Sequence, residues 1–170
     1  MILYPGVIYG PGKRTEGNIV VKLVSDFLAG KVPGILGDGR QVWSYAFVED
    51  VARGHLLALR DSRGKGEYVL GGENVSFSDF FELLGRLAGK RAPRMRIPPV
   101  VAKLAGALEV GWAHISGRLP LMTPSTVSMM VESWACDSAR AERELGYKCR
   151  PLRQGLAQTL EWMGIPIVGG

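Results

Sequence analysis

The chain opens on Met1-Ile-Leu-Tyr-Pro-Gly-Val-Ile-Tyr-Gly-Pro-Gly12, an apolar run with no lead-in that stops at a Pro-Gly turn and meets a second turn, Gly10-Pro11-Gly12, soon after. Ile2 to Tyr4 reads as the end of a buried strand, too short to stand alone. A chain that starts inside such a strand reads as the later part of a longer one. That expectation governs how every motif behind it is weighed.

Local signals divide the remaining residues into short elements. Asn18 is a candidate cap for a helix over 19–29, whose Val20, Leu23, Val24, Phe27 and Leu28 share an apolar face and which Gly30 ends. Residues 31–39 read as a loop with turn chemistry at Pro33-Gly34 and Gly37-Asp38-Gly39, and 41–48 as a short strand. Asp50 reads as the opening cap of a helix through Leu59, with Val51, Leu56, Leu57 and Leu59 available for burial. Residues 67–70 form another strand, closed by Gly71-Gly72. Ser76-Phe-Ser-Asp79 resembles a capping box ahead of the apolar run Phe80, Phe81, Leu83, Leu84, Leu87. A strand over 94–97 precedes Pro98-Pro99 and a long apolar helix to about Ile115. Helices over 124–131, 137–145 and 150–163 complete the chain, the last carrying Leu152, Leu156, Leu160 and Trp162.

Strands alternate with helices in the first half, and the second half is mostly helical. This pattern argues for an α/β fold in which a small lobe is attached to an open sheet, with a cleft between them. The division falls at 1–72 and 73–170. At 170 residues, 46% apolar and 22% charged, the chain suits one globular unit with a sizeable core. Its +5 charge is scattered apart from Lys90-Arg91 and Arg94-Met-Arg96, with no interleaved aromatic array, so nucleic acid is not an expected partner. Two cysteines, Cys136 and Cys149, build neither a disulfide framework nor a metal cluster, and both are expected to be buried and inert. A reducing, cytoplasmic setting is the default. There is no leader pattern, and no apolar run reaches about 18 residues.

Two strings in the opening segment imitate catalytic motifs. Gly6-Val-Ile-Tyr-Gly10-Pro-Gly12 fits the spacing of a phosphate loop, but a proline interrupts it and no helical pattern comes after it to aim amides at a pyrophosphate. Tyr9-Gly-Pro-Gly-Lys13 fits Tyr-x-x-x-Lys, but enzymes that use such a pair hold it one helical turn apart, which Gly-Pro-Gly cannot sustain. Neither string is taken as catalytic.

The ordered set is more informative. Tyr4-Pro-Gly-Val-Ile-Tyr-Gly-Pro-Gly-Lys13, Gly37-Asp-Gly39, Tyr45-Ala-Phe-Val-Glu-Asp-Val-Ala52, Tyr68-Val-Leu-Gly-Gly-Glu-Asn-Val-Ser76, Gly117-Arg-Leu-Pro-Leu-Met-Thr-Pro124, Trp134-Ala-Cys-Asp-Ser-Ala-Arg-Ala141 and Glu144-Leu-Gly-Tyr147 stand in the order of the C-terminal half of extended short-chain dehydrogenases/reductases, the NAD-dependent epimerase/dehydratase family. Over about residues 2–163 the chain resembles that half, with plant farnesol dehydrogenase-like members nearest. It departs at Phe47-Val-Glu-Asp50, where the family commonly has His-Val-Asp-Asp. Neither a Gly-rich turn nor a Ser/Tyr/Lys constellation has a counterpart in it.

The resemblance implies a Rossmann-type fold: the end strands of a parallel sheet in 1–72, and a mostly helical substrate-side lobe in 73–170. It implies that Pro5, Gly6, Val7 and Ile8 lie at the nicotinamide end of a cofactor site, where Pro sets chain direction and Gly permits close approach. Tyr9 and Trp43 would line the substrate pocket, with packing in the core as the other reading of Trp43. The implied reaction is NAD- or NADP-dependent oxidation of a small apolar alcohol, such as the isoprenoid farnesol, by an upstream Tyr and Lys, with NAD the cofactor of the nearest members. On this reading the chain alone is inactive and binds the cofactor weakly. Two alternatives stand: a non-catalytic binding or dimerisation module, with a homodimer as partner, and a relative of sugar-nucleotide epimerases or flavonoid reductases. The apolar stretch from Val100 to Val110 with Trp112 is expected to pack in the core. A roof over an apolar substrate and attachment to a membrane surface are its other readings. Trp134 and Trp162 are expected in the core.

Overall fold

Four of the strands owe their pairing to residues far along the chain, Ile2 to Glu67 in one pair and Ile35 to Arg96 in another. The computed structural model of the protein describes residues 1–13, 18–61, 65–117 and 123–168, and the side chains of all of these except 114–116. In chain order the elements are β1 (Ile2–Pro5), β2 (Val7–Tyr9), α1 (Ile19–Leu28), β3 (Ile35–Leu36), β4 (Val42–Phe47), α2 (Val48–Arg60), β5 (Glu67–Leu70), β6 (Glu73–Ser76), α3 (Phe77–Ala88), β7 (Arg96–Ile97), α4 (Pro99–Ser116), α5 (Pro124–Val131), α6 (Ala139–Leu145) and α7 (Leu152–Trp162). β1 runs parallel to β5, β2 to β4 and β3 to β7, while β6 joins β4 antiparallel. Parallel strands joined through helices define a Rossmann-like α/β fold, as expected from the alternation of elements.

The period of two along β4 sorts its residues between two cores. Trp43, Tyr45 and Phe47 enter an aromatic core with Tyr9, Phe77, Phe80 and Phe81, closed by α1 through Val20, Val24 and Phe27 and by α7 through Leu152, Leu156 and Leu160. Tyr45 stacks on Phe80 at 4.8 Å, and Trp43 meets Phe77 edge-on at 4.7 Å. Ala46 enters a smaller core with Val51, Ala58, Tyr68, Leu70, Leu145 and Tyr147.

Local signals placed several boundaries correctly. Asn18 Oδ1 accepts from the Val21 amide, and Ser76 Oγ accepts from the Asp79 amide at 3.1 Å. Asp79 does not reach back to the Ser76 amide as in a full capping box; its carboxylate accepts from Ser76 Oγ at 2.6 Å.

Other expectations are corrected. β1 is not buried: Ile2 and Tyr4 are 49% and 47% exposed, because among the described residues β1 has β5 alone as a neighbour. The stretch read as a loop over 31–39 contains β3, which exists only by pairing with β7. β6 had no local signature, since Glu-Asn-Val-Ser is weakly strand-forming and is held by β4. In α2 the buried positions are Asp50, Val51, Gly54 and Ala58, while Leu56 and Leu59 are exposed. Small residues let this helix seat closely, since a Cβ on Gly54 would lie 2.8 Å from Leu70. Asp50 is not the cap; α2 starts at Val48 and Asp50 turns inward. The outer face of α4 is exposed, not core, and so are Trp134 and Trp162. Both cysteines are free and half-buried.

Candidate functional site

A single residue separates β1 from β2, yet the two strands pair with different neighbours, β5 and β4. The chain changes partner at Gly6, whose amide donates to Leu70 O at 3.1 Å as the last rung toward β5. A Cβ there would stand 2.8 Å from Ser44 O, so only glycine fits. The opposite wall is tighter still, because a Cβ on Gly72 would fall 1.8 Å from Tyr45 O. Ser44 ties the walls together. Its Oγ accepts from the Gly72 amide at 2.9 Å and donates to Gly72 O at 3.4 Å. Gly71 is pinned from the far side, its amide donating to Ser138 Oγ at 2.8 Å and its carbonyl accepting from Tyr147 OH at 2.7 Å.

These contacts form a fork at the carboxyl ends of β1 and β5. In open α/β sheets the crevice at such ends, where neighbouring connections diverge, is where ligands bind. Pro5 and Ile8 are exposed at the fork, and Gly6 and Val7 are half-buried. The four residues expected at the nicotinamide end thus come to one place. Backbone approaches closely at both walls of the fork, Ser44 O at Gly6 and Tyr45 O at Gly72.

Tyr9 and Trp43 sit behind this surface, at 0% and 1% exposure within the aromatic core. Tyr9 OH donates to Leu152 O at 3.5 Å, and Trp43 Nε1 donates to Glu132 O at 3.0 Å. Burial drives the Tyr9 phenol far above its ordinary value, against the opposing pull of the Arg150 charge. Tyr9 therefore stays protonated, while Lys13 is exposed, in keeping with rejection of the Tyr9-Lys13 string. A cavity of about 670 Å³ lies elsewhere, lined in part by Gly37, Asp38, Gln41, Arg96, Pro98 and Val131, and none of residues 5–9 reaches it. Residues 118–122 of the Gly117–Pro124 motif lie outside the described residues. Among the described residues no group of His, Cys, Asp and Glu could hold a metal ion.

Sequence reasoning missed the polar cluster that ties α2 to the segment leading into α7. Asp50 accepts from the Arg150 backbone amide at 2.8 Å, from Nε at 3.0 Å and from Nη2 at 2.8 Å. The guanidinium lies 4.0 Å over the Phe47 ring, and it also donates to Glu49 Oε2 and Gln158 Oε1. Hydrogen bonding to Asp50 raises the Arg150 pKa further, so the group is charged throughout the accessible range. Two residues on, Glu73 Oε2 accepts from the Leu152 amide at 2.7 Å, a carboxylate at the positive end of α7. Asp50 and Arg150 are 100 positions apart, and no local pattern joins them.

The parallel strands, with a fork at the carboxyl ends of two of them, define a Rossmann-like α/β protein. Residues 1–71 match the model of the NAD dependent epimerase/dehydratase family. The chain is 29% identical to 3beta-hydroxysteroid-dehydrogenase/decarboxylase isoform 2 of Arabidopsis thaliana, over 92% of this chain and 30% of that protein. It is also 29% identical to a putative dihydroflavonol 4-reductase of Synechocystis, over 95% of this chain and 47% of that one. The crystal structure of gox2253 superposes with a TM-score of 0.69 at 29% identity, covering 96% of this chain and 48% of the other. MoeE5 in complex with UDP-glucuronic acid and NAD superposes at 0.65 with 25% identity, covering 95% and 46%. Over its first 71 residues the chain is similar to the NAD dependent epimerase/dehydratase family, and over nearly its whole length it is similar to short-chain dehydrogenase/reductase proteins. It spans less than half the length of each of these relatives.

Proposed function

We propose that this chain carries the nicotinamide end and the substrate-side lobe of an NAD-dependent alcohol oxidoreductase. Residues 1–72 supply most of the strands and the fork, and residues 73–170 supply β6, β7 and the helices of the substrate side. The observation that carries the reading is the fork itself, where Pro5, Gly6, Val7 and Ile8 meet a wall of glycine backbone at the carboxyl ends of β1 and β5. The bound cofactor would supply the ring carbon that takes a hydride from the alcohol. This chain's own part is to seat that ring. Gly6 and Gly72 leave room for close approach, Ser44 fixes the two walls, and Pro5 and Ile8 offer apolar surface to the ring's face. Tyr9 is not the residue that moves the hydroxyl proton, since it is buried and stays protonated.

A small apolar alcohol of the isoprenoid class, such as farnesol, is the proposed substrate. Support comes from the resemblance of Tyr4–Lys13, Gly72–Phe77 and Gly117–Pro124 to farnesol dehydrogenase-like sequences, and burial of alkyl carbons would supply the affinity. A sugar-nucleotide or flavonoid substrate is the second reading, favoured by the MoeE5 complex and the dihydroflavonol reductase relative.

Saturation-transfer NMR on the chain with NAD tests the seat. The nicotinamide protons are expected to saturate more strongly than the adenine protons, and Ile8→Asp is expected to remove the effect. No NADH should appear when farnesol is added. Saturation confined to adenine, no saturation at all, or turnover by the chain alone would overturn the proposal.

A further inference from the structure

The outer face of α4 is the largest departure from what the sequence led us to expect. Val100, Val101, Leu104, Leu108 and Trp112 are between 55% and 77% exposed. With Ala105, Ala107 and Gly111 they cover nearly half the helix circumference, and between 100 and 112 Lys103 is the only exposed charged residue. The opposite face is occupied, since α4 packs along α5 through Ala102 and Gly106. None of the described residues covers this apolar stripe.

Charge beside this stripe in the sequence says what would cover it, although Lys90 already donates to Leu28 O and Arg96 to Ser78 Oγ. Residues 83–108 contain six Lys or Arg (Arg86, Lys90, Arg91, Arg94, Arg96, Lys103) and no Asp or Glu. The whole of the chain's +5 excess sits there, and the remainder carries 15 basic against 16 acidic residues. Arg91, Arg94 and Arg96 are exposed in the strap that leads into α4, and Met95 among them is 56% exposed.

We propose that the α4 face and the preceding 90–96 strap form a docking surface for an anionic lipid bilayer. Apolar side chains enter the boundary between headgroups and acyl chains, and the flanking cations meet the negative surface. Attachment is peripheral. No described helix is long and apolar enough to cross a membrane, and the inner face of α4 is held by α5. A second copy fits less well, because a two-fold contact through this face would bring two basic straps together. Nucleic acid would use the cations but would have no need of the apolar stripe. The inference depends on neither the cofactor nor the substrate proposed above.

The test is sedimentation of the 170-residue chain with vesicles of phosphatidylcholine alone and of phosphatidylcholine carrying about a third phosphatidylserine. The chain is expected to pellet with the anionic vesicles and only weakly with the neutral ones. R91Q/R94Q should weaken binding about fivefold for each cation removed. L104E/L108E should reduce it to background, with its thermal unfolding unchanged because both side chains are exposed. R91Q/R94Q lies outside the helix and so tests the surface without touching α4. Equal binding to both vesicles, no pelleting with either, or pelleting that L104E/L108E leaves unchanged would overturn the proposal. So would a dimer in analytical ultracentrifugation that L104E/L108E dissolves, which would assign the face to a second copy.

Discussion

Removing the Arg150 guanidinium is the sharpest test of how the segment before α7 is fastened to α2. The Asp50 side chain is 4% exposed and that of Arg150 13%, so neither charge has water to fall back on. In Arg150→Met the apolar stem stays on Phe47, the backbone amide still donates to Asp50, and the Nε and Nη2 donors vanish. The carboxylate is then left buried without its counter-charge, a change that costs about 3–5 kcal/mol. For a chain of this size each kcal/mol moves the melting temperature by about 2–4 °C, so the variant should melt on the order of 10 °C lower. Asp50→Ala should cost less, because Glu49 and Gln158 still accept from the guanidinium. The double variant strands neither charge, so its loss should fall short of the sum of the singles by more than about 1 kcal/mol. Urea titrations followed by circular dichroism on the two singles and the double measure all three. Singles costing less than about 1 kcal/mol, or strictly additive losses, would refute the view that this pair acts as one buried unit.

The same tight contacts and buried phenols set three further outcomes. Gly72→Ala should fail to give a cooperative thermal transition, because its methyl would lie 1.8 Å from Tyr45 O, whereas Gly12→Ala, with nothing within 4 Å, should keep one despite its φ of +156°. Tyr45 OH is buried with no hydrogen-bond partner among the described residues, so Tyr45→Phe should leave stability unchanged or raise it by about 1 kcal/mol in urea titration; a clear loss would reveal a partner for the hydroxyl. Burial holds the Tyr9, Tyr45 and Tyr147 phenols above their ordinary value. Their contribution to stability is fully present below the unfolded value of about 10 and is lost as pH rises from there toward the higher folded values. Urea midpoints measured up through that range should fall, with a shallower slope in Tyr45→Phe.

The legible parts of this fold are those whose physics is contained within a few residues. Ser76 caps α3, and Asn18 caps α1, because each oxygen meets an amide three positions away. Gly146 ends α6 with a φ of +70°, a backbone shape that glycine adopts without strain. The candidate site was legible in part for the same reason, since a Pro-Gly turn after an apolar run marks a strand end wherever it occurs. Partners were not legible. β6 and β3 are strands only because β4 and β7 lie beside them. Asp50 looked like a helix cap until an arginine 100 residues later took its carboxylate.

Composition and short-range pattern alone decided where backbone must turn, where helices start, and that glycine stands at positions 6, 71 and 72. Which chain each glycine makes room for is a different kind of fact. Gly6 is compressed by Ser44 and Gly72 by Tyr45, contacts that exist only once β4 lies between the two turns. The same holds for α4, whose two faces are both apolar in sequence and became unlike only when α5 covered one of them. Burial is settled by which neighbours arrive, and a linear pattern states an element's needs without saying which neighbour will meet them.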